Sequence, residues 1–246
     1  MNRFALCSIA SLLAATASAA DPEFQKIIID TKFRSEGVNV ADINKDGHND
    51  IVVGDFWYES PNWTAHKIRA PRMPVRGGYT EAFGVYTDDF NNDGWTDVMV
   101  IPFHDKDAKW YENPKNKDGQ WKEYTAFKRT GNETRLYVDL FDDGKKVFLM
   151  GVENAVAYVP VPADPTKPWP VHNISPKYPN TEIPQENKSP AFKYAHGLGI
   201  GDVNGDGRND VTWGGGWFEQ PTGARTSDAT WTHHFKTIIN DNTADM

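Results

Sequence analysis

Beyond the first twenty residues, the apolar positions of this chain come in short runs bounded by polar, glycine-containing segments. The clearest are IVVG from Ile51, VMVI from Val98 and VTWG from Val211. Runs of this kind between turn signals predict strands. Each follows the same nine-residue polar segment: DINKDGHND from Asp42, DFNNDGWTD from Asp89 and DVNGDGRND from Asp202. Each precedes an aromatic-acidic tag, Trp57-Tyr58-Glu59, Trp110-Tyr111-Glu112 or Trp217-Phe218-Glu219, with a proline just beyond at Pro61, Pro114 or Pro221. A further strand then opens on tryptophan, as WTAHKI from Trp63, WKEYTAF from Trp121 and WTHHFKTI from Trp231. With one strand ahead of the polar segment, the unit has four strands, the pattern of a propeller blade.

A degenerate copy lies between the second and third. DLFDDGKKV from Asp139 keeps the first Asp, the fifth Asp and the Gly, but has Phe141 and Val147 at its third and ninth positions, and Trp169 opens its fourth strand. The four copies start 47, 50 and 63 residues apart, at or slightly above blade length. The expected fold is therefore an all-β β-propeller with four four-stranded blades, over about residues 37–69, 82–128, 133–174 and 195–238. FQKIIID from Phe24 reads as the fourth strand of another blade, yet only Asn240 to Met246 follow the last repeat. The expectation is thus an incomplete part of a six- or seven-bladed ring, whose exposed edges would drive self-association.

Within each full copy the first, third, fifth and ninth side chains bear oxygen, and the sixth residue is Gly. This is the ligand economy of a small calcium loop. The expected ligands are Asp42, Asn44, Asp46 and Asp50; Asp89, Asn91, Asp93 and Asp97; and Asp202, Asn204, Asp206 and Asp210. His48, Trp95 and Arg208, at the variable seventh position, would contribute backbone carbonyls. Up to three calcium ions are implied. Val53 and Val100 stand at the twelfth position, where an EF-hand needs a bidentate Glu, and strands rather than helices flank the loops. The degenerate loop is expected to fold as a turn without calcium. The competing interpretation is that these residues only form Asx turns.

The D-x-N-x-D-G-x-x-D loop between the first two strands of a blade resembles the FG-GAP, or VCBS, repeat family, and the likeness covers nearly the whole chain after residue 20. It implies a calcium-binding propeller, in a family that includes adhesion heads, lectin-like modules and a few enzymes. The W-Y-E-x-P tags and the HGLGIGDVNGDGRND stretch from His196 are also similar to the propeller of aldos-2-ulose dehydratase and its bacterial relatives.

Composition and charge narrow the function classes. High aromatic content with abundant Gly and Pro agrees with an exported all-β protein. Residues 1–20 read as a secretory signal: Arg3 is the charge, Phe4 to Ala15 the apolar core and Ala17-Ser18-Ala19 the cleavage site. The product is expected in the periplasm or outside the cell, with no membrane span. The sole cysteine, Cys7, lies inside the signal, which leaves no disulfide and gives stapling to calcium. The formal charge of −8 makes nucleic acid an improbable partner and reads as ligand supply in the loops. Sequons at Asn62, Asn132 and Asn173 matter only in a eukaryotic host.

Of seven histidines, His66, His172 and His234 each stand three residues after a blade Trp and read as structural. The start of each first strand opens on the face opposite the calcium loops. Six residues ahead of the loops stand Glu36, Phe83, Glu133 and His196, with Glu81 and Arg135 two residues from their equivalents. Glu36, Glu81, Glu133, Arg135 and His196 would then surround one mouth of the central channel, overhung by His104 and Asp105 of the FHDKD loop. Such a mouth suits proton abstraction beside a carbonyl, or it is simply polar and hydrated. The Pro-rich insertion from Ser175 to Lys193 rises on the same face as a lid or binding loop. Two function classes follow. One is an exported binding or scaffold module for a glycan, sugar or protein ligand. The other is a sugar lyase acting on a keto-sugar through His196 and a neighbouring Glu.

Overall fold

A computed structural model of the chain describes residues 22–72, 78–117, 119–178, 190–191, 194–226 and 229–235. The chain divides into two units, Met1–Thr31 and Lys32–Met246. In the first, the described residues 22–31 form neither strand nor helix. The strand expected over FQKIIID is therefore absent, and Phe24, Ile27 and Ile28 are exposed. A short apolar run becomes a stable strand only with partners and a face to bury.

The second unit is all-β, with four antiparallel four-stranded sheets. The first contains β1 (Asn39–Ala41), β2 (Asp50–Val53), β3 (Phe56–Glu59) and β4 (Thr64–Lys67). The second contains β5 (Gly84–Asp88), β6 (Asp97–Ile101), β7 (Ala108–Glu112) and β8 (Lys122–Phe127). The third contains β9 (Leu136–Val138), β10 (Val147–Val152), β11 (Ala155–Pro160) and β12 (His172–Asn173). The fourth contains β13 (Gly199–Gly201), β14 (Asp210–Trp213), β15 (Gly216–Glu219) and β16 (Thr232–Phe235). Strand order within every sheet is sequence order, the meander of a propeller blade. One short 3-10 turn, Ala224–Thr226, is the only helical element among the described residues. Closure of a ring is not seen among these residues.

All four polar loops close on the same register. Ala41 pairs with Asp50, Asp88 with Asp97, Val138 with Val147 and Gly201 with Asp210. The ninth residue thus starts the second strand in every blade, and the tightly wound loop sits between strands one and two. The glycine at the sixth position has φ near +80° in each (Gly47, Gly94, Gly144, Gly207), a conformation that would strain any side chain.

Consecutive blades share their cores. One apolar cluster joins blades one and two through Val52, Ile68, Val98 and Trp121. A second joins blades two and three through Trp110, Phe127, Phe148 and Trp169. A third joins blades three and four through Leu149, Tyr158, Phe218 and Trp231. The recurrent tryptophan explains itself here. Its indole fills the interblade core, and its backbone N–H donates to the preceding blade: Trp121 to Ile68 O at 3.2 Å, Trp169 to Ala126 O at 2.8 Å, Trp231 to Ile174 O at 2.8 Å. Burying each such ring contributes roughly 1.5–3 kcal/mol. Trp63, in the first blade, instead bonds Glu59 O within its own blade at 2.6 Å.

Candidate functional site

The three full loops are built alike. Position one accepts the backbone N–H groups of positions five and six: Asp42 from Asp46 and Gly47, Asp89 from Asp93 and Gly94, Asp202 from Asp206 and Gly207, all between 2.7 and 3.2 Å. Position three accepts from the position-five N–H, and position five from the position-seven N–H. The side chains of positions one, three and five therefore turn into the loop, leaving the seventh residue free to vary.

Position nine has a role of its own. Asp50, Asp97 and Asp210 are fully buried. Each accepts one N–H from the second loop residue (Ile43, Phe90, Val203) and one from the residue after the aromatic tag (Ser60, Asn113, Gln220), at 2.8–3.1 Å. The ninth carboxylate thus clips loop to third strand, a reason for an Asp there that needs no ion. In the degenerate loop Asp139 accepts from Asp143 and Gly144 in the same way, while Val147 is buried in the apolar core. That loop is a turn, as its sequence predicts.

The donor set of the full loops fits a hard divalent cation in its chemistry: three carboxylates and one amide oxygen per loop. Burial pushes the Asp97 carboxyl up to about 7, opposed by its two N–H bonds and reinforced by Asp93 and Asp89. Among the described residues, no three His, Cys, Asp or Glu side chains converge at metal-binding distances. The loops are instead closed on their own hydrogen bonds, and an ion would share oxygens that already accept backbone N–H groups.

The opposite face is formed by the ends of second strands, the starts of third strands and the connections between blades. Here an aromatic cluster stands outside the blade repeat. Tyr79 stacks on Phe103 with centroids 3.9 Å apart, Phe83 lies 5.1 Å from Phe103, and Tyr194 approaches Phe103 at 6.0 Å and His104 at 5.7 Å. Tyr79 is 52% exposed and Tyr194 44%. Their rings form a rigid apolar surface half in water.

The structure sorts the residues expected at the channel mouth. Glu133 and His196 come together, with Oε2 3.2 Å from Nε2, and Glu133 is mostly buried. The Glu133 N–H also donates to Ala195 O at 3.1 Å, tying the two strand starts together. His104 has Asp105 at 3.5 Å and lies against Phe103 and Tyr194. Glu36 accepts instead from Thr80, and Glu81 pairs with Lys106. Arg135 is a correction to the expected mouth. Buried, it donates to the carbonyls of Ile101, Pro102, Asn132 and Gly131 and lies over the Phe83 ring. A guanidinium out of water must satisfy its fork of donors, and burial draws its pKa down to about 10. It braces the second and third blades rather than facing solvent.

The structural reading of the outer-strand histidines agrees with their surroundings. His66 stacks on Trp57, His172 on Tyr158 and His234 on Trp217, and Glu59 and Glu219 bond the first and last at 2.8 and 2.7 Å. Of the expected lid, Ser175–Tyr178 begin from the third blade on this face: the Tyr178 N–H donates to Asn154 O at 2.8 Å. Residues 179–189 and 192–193 of it, and the expected signal segment, lie outside the described residues. Among the described residues no helix is long and apolar enough to cross a membrane.

Sequence reasoning missed Tyr79, Phe103 and Tyr194. The available signal was that these aromatics have no counterpart in the repeat, so the blade cores do not account for them. Comparison with known proteins returns no matching family model and no matching curated protein.

Proposed function

We propose that this protein is an exported, calcium-binding propeller module that recognises a glycan on the face opposite its metal loops. The observation supporting this reading is the exposed aromatic surface of Tyr79, Phe103 and Tyr194, flanked by the Glu133–His196 pair. A rigid ring half in water covers the C–H face of a sugar at small entropic cost, while nearby polar groups bond its hydroxyls. Calcium would be held by the first, third, fifth and ninth side chains of the three full loops and would supply fixed positive charge among clustered carboxylates. The signal-like first twenty residues support export. Titration of neutral oligosaccharides by calorimetry tests the reading. Binding that weakens about tenfold, or about 1.4 kcal/mol, in Tyr194→Ala is expected. No binding by any sugar, or no response to Tyr194→Ala, would refute it.

A second reading rests on the Glu133–His196 contact: a carboxylate beside an imidazole can abstract a proton next to a carbonyl, as in a carbon-oxygen lyase acting on a keto-sugar. Turnover of keto-sugars by the wild type, lost in His196→Ala with unchanged melting, would favour it over the binding module.

A further inference from the structure

A cavity lies on this same face, in the seam between blades one and two, and the proposed glycan site leaves it unused. It is an open pocket of about 300 Å³ with Val100 and Pro102 on its wall. This is the lower end of small-molecule cavities and suits a single ring rather than a chain. The loop from Pro102 to Asp107 separates it from the aromatic surface, because that loop gives Phe103 and His104 to the surface and Lys106 and Asp107 to the cavity.

The charged side chains of the lining and their ion-pair partners interleave in sign. Buried Arg69 bonds the Asp55 carboxylate, the Tyr111 hydroxyl at 2.8 Å and Glu81 O at 3.1 Å, and so stands fixed at the base. Lys106 pairs with Glu81, and Lys109 with Glu123. Arg72 lies between those two carboxylates at 3.8 and 3.9 Å, beyond hydrogen-bond reach. Asp107 lines the cavity and makes no hydrogen bond or ion pair among the described residues. Among the described residues, the side chains of Arg72 and Asp107 therefore offer, respectively, donors and an acceptor that no other group takes up at hydrogen-bond distance.

Four cations and two carboxylates, Glu81 and Asp107, line the cavity. Asp55 and Glu123, outside the lining, pair with Arg69 and Lys109, so the cavity together with these partners carries no net formal charge. An anion would gain from Arg72 but would face Glu81 and Asp107. A hydroxyl both donates and accepts, and a ring bearing several of them satisfies an alternating rim without leaving a charge unpaired. We propose that this seam is a second subsite, for one neutral sugar residue of the oligosaccharide whose neighbouring residue lies on Tyr79 and Tyr194. It rests on the glycan reading of that face and deepens it: the ligand is neutral and spans both sides of the Pro102–Asp107 loop.

The test is calorimetry on the full chain with cellohexaose, maltohexaose, mannohexaose, their disaccharides and hexagalacturonate, with folding of each variant checked by near-ultraviolet circular dichroism. In Arg72→Ala and Asp107→Ala, the neutral hexasaccharide that binds the wild type is expected to bind about tenfold more weakly. Its disaccharide, held on the aromatic surface, is expected to lose affinity only in Tyr194→Ala. Unchanged hexasaccharide binding in both cavity variants, with loss in Tyr194→Ala, would overturn the subsite and leave the glycan reading standing. Preference for hexagalacturonate, abolished by Arg72→Ala, would overturn the neutral class. No binding of any probe by the wild type would overturn both.

Discussion

Replacing Asp55 by Ala isolates the most buried ion pair in the described molecule. Asp55 and Arg69 are each 7% exposed in their side chains, Nε of Arg69 donates to the Asp55 carboxylate, and the Arg72 N–H donates to its other oxygen at 2.7 Å. Without the carboxylate, Arg69 keeps only the Tyr111 hydroxyl and the Glu81 carbonyl, so a desolvated guanidinium loses its counter-charge. Breaking such a pair from one side costs about 3–5 kcal/mol, whereas an exposed pair is worth about 1 or less. At about 2–4 °C per kcal/mol for a chain of this length, the melting temperature falls by roughly 6–20 °C. Urea unfolding followed by tryptophan fluorescence measures the loss directly. Asp55→Asn, which keeps one acceptor oxygen, should lose less, and Asp55→Leu with Arg69→Met should recover much of the deficit. A loss below about 1 kcal/mol, or one erased by 1 M salt, would mean that water screens the pair, and the reasoning would fail.

Calcium at a hundredfold excess over its dissociation constant should add about 2.7 kcal/mol per occupied loop, seen as a melting temperature that falls with chelator. Asp89→Ala should reduce that response. Asp139→Ala should cost about 1 kcal/mol equally with and without calcium, from its lost N–H bonds; a changed calcium response would contradict the reading of the degenerate loop. His233 accepts the Trp213 indole N–H at 3.1 Å, which requires neutral imidazole, and burial together with His234 lowers its pKa. The unfolded chain then binds the proton more readily, so stability is present above about pH 6.5 and declines as pH falls through the lowered value. His233→Phe should remove that part of the acid dependence, and an unchanged pH profile would refute the assignment. Asn132 is fully buried, with Oδ1 accepting the Gly151 N–H at 2.7 Å. Mass spectrometry after eukaryotic expression should find no glycan there despite the sequon, and Asn132→Ala should cost about 1–3 kcal/mol.

The repeat made the blades legible because it records a local rule. A polar loop of fixed length ends on the residue that begins the second strand, and the strand boundaries follow. The fourth copy was readable through its Asp139 and Gly144, and its apolar ninth residue lies in the core, as Val147 must without a carboxylate's acceptors. FQKIIID misled because a short apolar run by itself supplies no strand partner. Arg135 misled for a related reason. Its place near a strand start put it on the expected face, but direction and burial depend on neighbouring blades.

By itself, the sequence determined the strands of the four blades, the blade count within the chain and the loop geometry. These follow from periodicity, from glycine's access to positive φ and from side chains that bond backbone a few residues away. Only the tertiary structure decided which charges are spent on the fold and which face solvent. It sent Arg135 to four carbonyls and Asp97 to two N–H groups, while leaving Tyr79 and Tyr194 half in water and Arg72 short of its carboxylates. The physical reason is that burial and pairing depend on contacts between residues distant in sequence, set when blades pack, and one chain's local pattern carries no record of them.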